Sequence, residues 1–299
     1  MKFQGSEKVS NTMELRQPTV AITGAGSGLG RAVAIKLAAK GYRVFGTARS
    51  ETDAADLEKA SGGNAAVTLA DITDQHAVTA WVGKVSDELG ERGLDVLISN
   101  AGTLTPGPLE VIPLDDIRRE FEVNVFGAMA VINGFLPALR KSRGRIVQIG
   151  AMTGRLPVPF DGPSSASKAA FEALADVYRL ELKPFGVAFV MVQAGNMRTG
   201  GPAKTAAALK RIADVMTDGQ RALYGHAFGK FTESLNGMQN AGLSAEASAD
   251  RVIELVEQEP PPIRAALGDD AEQILRLVRE QSDTELDALR LQLIGLGDA

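Results

Sequence analysis

The chain has 299 residues, 44% hydrophobic and 23% charged, a composition that buries a sizeable core and excludes disorder as its main state. Its 32 basic and 37 acidic side chains leave a net charge of −5, so there is no basic field for nucleic acid or an anionic membrane, and neither is expected as a partner. Zero cysteines exclude disulfides, thiolate nucleophiles and Cys-ligated metals, and two distant histidines, His76 and His226, argue against a His-rich metal site.

Residues 1–16 are polar and lack the apolar stretch of a secretory signal. They read as a loose N-terminal arm, and with no run of about 18 apolar residues a cytoplasmic protein is expected. Short β-branched runs then alternate with longer segments of helical period, the βαβ alternation of a parallel sheet. The strands are expected at Thr19 to Thr23, Arg43 to Thr47, Ala66 to Ala70, Val96 to Ser99, Arg145 to Ile149 and Val187 to Val192. Between them, Leu29 to Ala39, Asp74 to Leu89, Leu114 to Leu139 and Ser165 to Leu182 space apolar residues by three and four, as helices covering a sheet do. Right-handed crossovers make this an α/β Rossmann-type, doubly wound parallel sheet over residues 17–199. Residues 200–242 read as a helical substrate lid. Residues 243–299 read as a helix–strand–helix extension of the same domain, with a capped helix from Ser244 to Glu257 and a last short strand from Arg264 to Leu267.

The segment Thr23-Gly24-Ala25-Gly26-Ser27-Gly28-Leu29-Gly30 falls between the first strand and the first helix. Glycines there permit positive φ and close backbone approach to a pyrophosphate, and the helix N-terminus favours the anion. Where an acidic residue at the end of the second strand would hold the ribose 2′-hydroxyl of NAD, the chain has Ala48 and then Arg49. A guanidinium there favours the 2′-phosphate, so NADP(H) is expected in preference to NAD(H).

These residues, with Asn100-Ala101-Gly102 after the fourth strand, resemble the short-chain dehydrogenase/reductase family. The resemblance implies that the glycine loop holds the pyrophosphate, that Asp71 with Ile72 meets the adenine, and that the Asn100-Ala101-Gly102 turn lies against the adenine ribose. It also implies that Thr199 binds the nicotinamide carboxamide, although Ala194 replaces a family proline nearby. The tail from Leu243 to Asp270 is similar to that of hydroxysteroid- and retinol-dehydrogenase-like members, which implies a bulky apolar alcohol or ketone as the small-molecule substrate.

Family chemistry rests on an Asn, a Ser, a Tyr and a Lys. Asn124 and Lys168 match. The Tyr position, four before Lys168, holds Ser164, and the Ser position holds Ala151. No register shift repairs this, because no tyrosine lies between Tyr42 and Tyr178. A serine hydroxyl is a far weaker acid than a phenol and reaches roughly 4 Å less far from the backbone. General acid–base catalysis contributes on the order of 10²–10⁴-fold, so carbonyl reduction by the family route should fall by at least roughly three orders of magnitude. The catalytic residues expected are therefore Asn124, Ser164 and Lys168, in an NADP(H)-binding oxidoreductase of weak or unconventional activity. Lys168, a relayed water, Asp161, Tyr224 or His226 would handle the proton, and Thr153, two residues along, could place a hydroxyl near the vacant serine position. A catalytically inactive NADP(H)-binding regulator, a non-redox enzyme on the same fold, and an inactivated variant of an ordinary dehydrogenase remain open. Family assembly implies a homodimer or homotetramer, with Ile117, Phe121, Val125, Phe171, Leu174 and Tyr178 offered as the pairing surface.

Overall fold

The computed structural model describes residues 16–198 and 201–297. Seven parallel strands form one sheet in the order β3-β2-β1-β4-β5-β6-β9: β1 (Thr19–Ile22), β2 (Arg43–Ala48), β3 (Ala65–Leu69), β4 (Val96–Ser99), β5 (Arg145–Ala151), β6 (Ala188–Ala194) and β9 (Arg264–Leu267). The central strands β1 and β4 are buried at every position, as strands covered on both faces must be, and this explains their unbroken apolar runs. The doubly wound α/β architecture read from the sequence is therefore present.

Two cores lie on opposite faces. On one, α1 (Gly28–Ala39) and α9 (Ala245–Glu257) pack Val33, Leu37, Val252 and Val256 onto Val20, Ile22 and Ile98. On the other lie α3 (Gln75–Leu89), α5 (Ala128–Ser142) and α6 (Gly162–Leu182), whose Trp81, Phe135 and Phe171 are fully buried around Ala21, Leu97 and Ile146. Helix α3 begins where Asp74 accepts the backbone N–H groups of His76 and Ala77, and stops at Gly90 with φ +58°. The guanidinium of Arg145, on β5, bonds the carbonyls of Leu255 and Val256 at the end of α9, which fixes the C-terminal extension to the sheet.

Helix α2 (Glu51–Ala60) was not expected. It is capped by Ser50 and buries only Leu57, so its sequence carries no apolar period. The segment expected as one helix from Leu114 to Leu139 is α4 (Leu114–Phe121), a π-helical turn (Glu122–Gly127) and α5. It is long and apolar enough to cross a membrane, but half of the relevant stretch is buried against the sheet, as in a core helix. After β7 (Met197–Arg198) come α7 (Gly201–Val215), α8 (Asp218–Ala241) and β8 (Leu243–Ser244), which pairs with β7. Ser244 then caps α9, and α10 (Asp269–Glu280) and α11 (Asp283–Leu293) follow β9. Helices α7 and α8 bury Leu209, Ile212, Met216, Phe228 and Phe231 against Ile112, with Val158 and Phe160 beside them.

The residues offered for pairing with a second copy require correction. Val125, Phe171 and Tyr178 are buried in this chain's own core, Phe121 and Leu174 pack on the same cluster, and Ile117 packs beneath α7 and α8. Their three- and four-residue spacing served the sheet. The apolar side chains exposed on the same segments are Leu114, Phe126, Val177 and Leu180.

Trp81 meets Phe135 edge-to-face, with ring centroids 5.0 Å apart. Trp81→Ala should cost about 3–5 kcal/mol in urea unfolding, because a cavity opens where two helices and the sheet converge. A loss below about 1 kcal/mol would show that this face is not the tightly packed core described.

Candidate active site

At the C-terminal ends of β1 and β4 the sheet order reverses, and the connections leave a crevice. The Thr23 hydroxyl accepts the N–H groups of Asn100 (2.9 Å) and Ala101 (3.0 Å), and the Asn100 amide donates back to the Thr23 carbonyl at 2.9 Å. Gly24 N–H donates to the Thr47 hydroxyl at 3.0 Å, and Ala25 N–H to the Thr47 carbonyl at 2.8 Å. Gly24 has φ +65°, a conformation costly for other residues, and a Cβ on Gly30 would stand 2.5 Å from the Gly24 carbonyl oxygen and from Asn100 Nδ2. Here the strand and helix approach too closely for any other residue.

Ser27 precedes α1 and makes no capping bond with its side chain, and no acidic residue occupies the first turn. The first backbone N–H groups of α1, at Gly28, Leu29 and Gly30, are therefore left with a favourable dipole and no internal anion. Leu29 serves through its backbone, since its side chain is buried in the core. Exposed Arg49 borders a depression of about 300 Å³ with Leu69, Ala70, Asp71, Asp74 and Ala77. Asp71 accepts both the N–H and hydroxyl of Thr73, which shapes the rim, while Ile72 is buried beneath it. These features fit an elongated ligand with a diphosphate at the helix terminus and a flat base toward Asp71. Asp53, which the sequence reading passed over, packs close to Gly26 from the first turn of α2. Thr199 lies outside the described residues.

At the other end, the π-helical turn presents Asn124. Its Oδ1 accepts Thr103 N–H at 2.9 Å, and its Nδ2 donates to the Thr103 carbonyl at 3.0 Å and to the Ser167 hydroxyl at 2.9 Å. A Cβ on Gly102 would stand 3.3 Å from both Asn124 Oδ1 and Lys168 Nζ, so the bare glycine leaves open the space these two groups border. Ser164 is buried one turn before Lys168, its carbonyl accepting the Ser167 hydroxyl at 2.9 Å. The structure thus brings Asn124, Ser164, Lys168 and the Asn100-Ala101-Gly102 turn together.

Of the other proton carriers considered, the Tyr224 hydroxyl bonds Glu110 at 2.6 Å, and His226 is exposed on a groove between α7 and α8. Thr153 lies near Asp161 and helps to lower its carboxyl against burial. Asp161 itself is buried, accepts the Ser165 hydroxyl at 3.0 Å, and is pushed up to about 7 by burial and by repulsion from Glu120. Glu120 carried no role in the sequence reading. It is wholly buried one helical turn before Asn124, and burial pushes its carboxyl up to about 7 against the pull of Thr105 and Lys168. The signal was present as an acidic residue four before Asn124, on the inward face of a helix. Burial lowers the Lys168 ammonium, while Glu120 and Asp161 act to raise it.

The fold and crevice define a dinucleotide-binding doubly wound α/β protein. A family model described as short chain dehydrogenase matches residues 18–210, and the chain belongs to that family. It is 32% identical over 250 residues to an NADPH-dependent 3-dehydrocapnine reductase of Ornithobacterium rhinotracheale, covering 81% of this chain and 85% of that protein. It is 32% identical over 237 residues to retinol dehydrogenase 7 of Rattus norvegicus, covering 77% and 74%. A short-chain dehydrogenase from Streptomyces avermitilis superposes with a TM-score of 0.75 at 25% identity, over 96% of this chain and 100% of that one.

Glu120 binds more protons folded than unfolded between its ordinary value of 4.5 and about 7, so stability falls as pH rises through that window. Glu120→Gln should therefore be more stable than the parent above about pH 7, by roughly 1–3 kcal/mol, with the advantage fading toward pH 4.5. Urea denaturation across pH checks this, and a difference independent of pH would refute an ionisable Glu120.

Proposed function

We propose that this chain is an NADP(H)-binding oxidoreductase acting on the ketone or alcohol of a small apolar substrate, with weak or unconventional activity because Ala151 and Ser164 replace the serine and tyrosine. The observation that carries the reading is that the uncapped N-terminus of α1, the depression beside exposed Arg49 and the Asn124–Lys168 pair all lie at the carboxyl ends of the central strands. NADPH dependence and retinol, in the names of two relatives, support the cofactor and the apolar substrate.

NADP(H) would be held by Gly24, Ser27, Gly28, Leu29 and Gly30 at the diphosphate, Arg49 at the 2′-phosphate, Asp71 and Ile72 at the adenine, and Asn100, Ala101 and Gly102 at the ribose. Thr199 is proposed for the carboxamide. Bound there, the cofactor supplies or accepts a hydride. Lys168 orients the ribose and holds a proton near the reacting carbonyl, while Asn124 fixes the turn that carries Gly102. Helices α7 and α8, the second of which packs Phe228 and Phe231 on Phe160, close the apolar side as a lid. Exposed Phe126, Val177 and Leu180 support a dimer or tetramer. The protein is proposed to work in the cytoplasm.

A guanidinium–phosphate contact is worth about 1.5–3 kcal/mol, so Arg49→Ala should weaken NADP+ binding by roughly 10–100-fold in calorimetry and leave NAD+ nearly unchanged. Equal weakening of both would remove the argument for a 2′-phosphate site.

An inactive regulatory role is the second reading, favoured by the loss of both hydroxyl groups. Ala151→Ser with Ser164→Tyr decides between the two. A gain of roughly 10²-fold or more in NADPH oxidation with apolar ketones means that the pocket is still built for reduction. No gain means that it serves another task, and steady turnover by the unmodified protein excludes the inactive reading.

A further inference from the structure

Reduction of a carbonyl needs a proton at oxygen, and positions 151 and 164 no longer carry the groups that would supply it. Yet the chain places two carboxyls around Lys168, from different elements. Glu120 lies on α4 with no exposed surface; its Oε1 accepts from Asn124 Nδ2 at 3.3 Å, and its Oε2 has no hydrogen-bond partner. Asp161 stands immediately before α6, also buried, accepting from Ser165. One ammonium cannot neutralise two buried carboxylates, and leaving a carboxylate oxygen unpaired in the interior is costly. A proton on one carboxyl resolves both problems.

The backbone at this point is held out of its preferred shape. Phe160 has φ +66°, rare for an aromatic residue, and its carbonyl accepts Gly107 N–H at 2.7 Å. Its ring lies 5.6 Å from those of Phe228 and Phe231 on α8. Strain of this kind is maintained where the surroundings dictate position, and here it sets Asp161 at the head of α6.

We propose that Glu120 and Asp161 form the proton store of this site and deliver through Lys168 the proton that a phenol at position 164 would have carried. The proposal rests on the reduction reading above. In the step, the C=O π bond breaks as carbon gains a hydride from a reduced nicotinamide dinucleotide. Oxygen takes a proton from the Lys168 ammonium, directly or through a water in the space above Ser164. The amine left behind regains a proton from one carboxyl through intervening water, and a proton from bulk solvent restores that carboxyl. The groups facing Glu120 are Thr105 from the loop after β4, Asn124 from the π-helical turn, and Lys168 and Asp161 from α6 and its start. Those facing Asp161 are Thr153, Ser165, Glu120 and Lys168. Burial raises both carboxyls to about 7 and lowers the lysine, so the store is loaded near neutrality and its acceptor gives up a proton readily. Glu120 and Asp161 act through Lys168 and are positioning residues in this scheme.

Infrared titration tests the store without turnover. The wild type should show the C=O stretch of a protonated carboxylic acid that disappears as pH rises through about 7, with part lost in Glu120→Gln and the rest in Asp161→Asn. With NADPH and an apolar ketone, each variant should lose roughly tenfold or more in kcat, and its decline in kcat above about pH 7 should vanish, while NADPH affinity stays within about twofold. Absence of the titrating band in the wild type overturns the store whatever the turnover. So does a kcat–pH profile unchanged in both variants, or a loss explained wholly by weaker NADPH binding. If the band titrates but no ketone is reduced at any pH, the carboxyl store stands and the reduction reading fails. Should Glu120→Gln not fold, Asp161→Asn and the wild-type band still decide the outcome.

Discussion

The molecule depends on the exchange of hydrogen bonds between Thr23 and Asn100. These residues leave adjacent strands at the point where the sheet order reverses, so β1 hands its chain to one face and β4 to the other. One hydroxyl accepts two backbone N–H groups and one amide returns a bond to Thr23. Thr47 adds the end of β2 by accepting from Gly24 and Ala25. Each bond contributes only about 1 kcal/mol net, but together they turn three strand ends and a glycine loop into one rigid rim. Without that rim the first turn of α1 and the Gly102 turn have no fixed separation, and a long ligand has no defined length to match.

The second half of the site is fastened to the first through the π-helical turn. Asn124 bonds Thr103 in both directions and Ser167 across to α6, so the loop after β4, the helix pair α4–α5 and α6 share one polar junction. A π turn widens the helix locally and lets this amide point inward while its neighbours Val125 and Ala128 remain in the core. Serine at position 164 leaves this scaffold standing, because Ser167 bonds its backbone carbonyl and not its side chain. The side chain at position 164 is thus not part of this frame.

Much of this was legible because parallel strands between covering helices must be apolar throughout, and because a glycine loop has meaning only between a strand and a helix. The strand ends fell within two residues of expectation, with β4 and β9 matching at both ends. Helix α2 was illegible, since it is held by the Ser50 cap and one buried leucine. Apolar periodicity also misled at Val125, Phe171 and Tyr178, whose spacing shows that a helix has a buried face but not which partner buries it. Glu120 was missed for a related reason. Spacing places it near Asn124, whereas its importance comes from complete burial and from Asp161 and Lys168 arriving from another helix.

The contrast between two buried glutamates shows why the cluster around Lys168 calls for more than a structural account. Glu172, also buried, accepts from Gln193 at 2.8 Å, and although its Oε2, like that of Glu120, has no hydrogen-bond partner, it lies within 4 Å of two guanidinium groups, Arg155 and Arg264. Glu120 has the Asn124 amide at 3.3 Å and Thr105 beside it, no ion pair within 4 Å among the described residues, and a second acid nearby. A chain concerned with stability alone would do better with glutamine or an apolar residue there, since half-satisfied buried charge is worse than none. The arrangement stands beside Ser164 and Lys168, and burial raises both of its carboxyls.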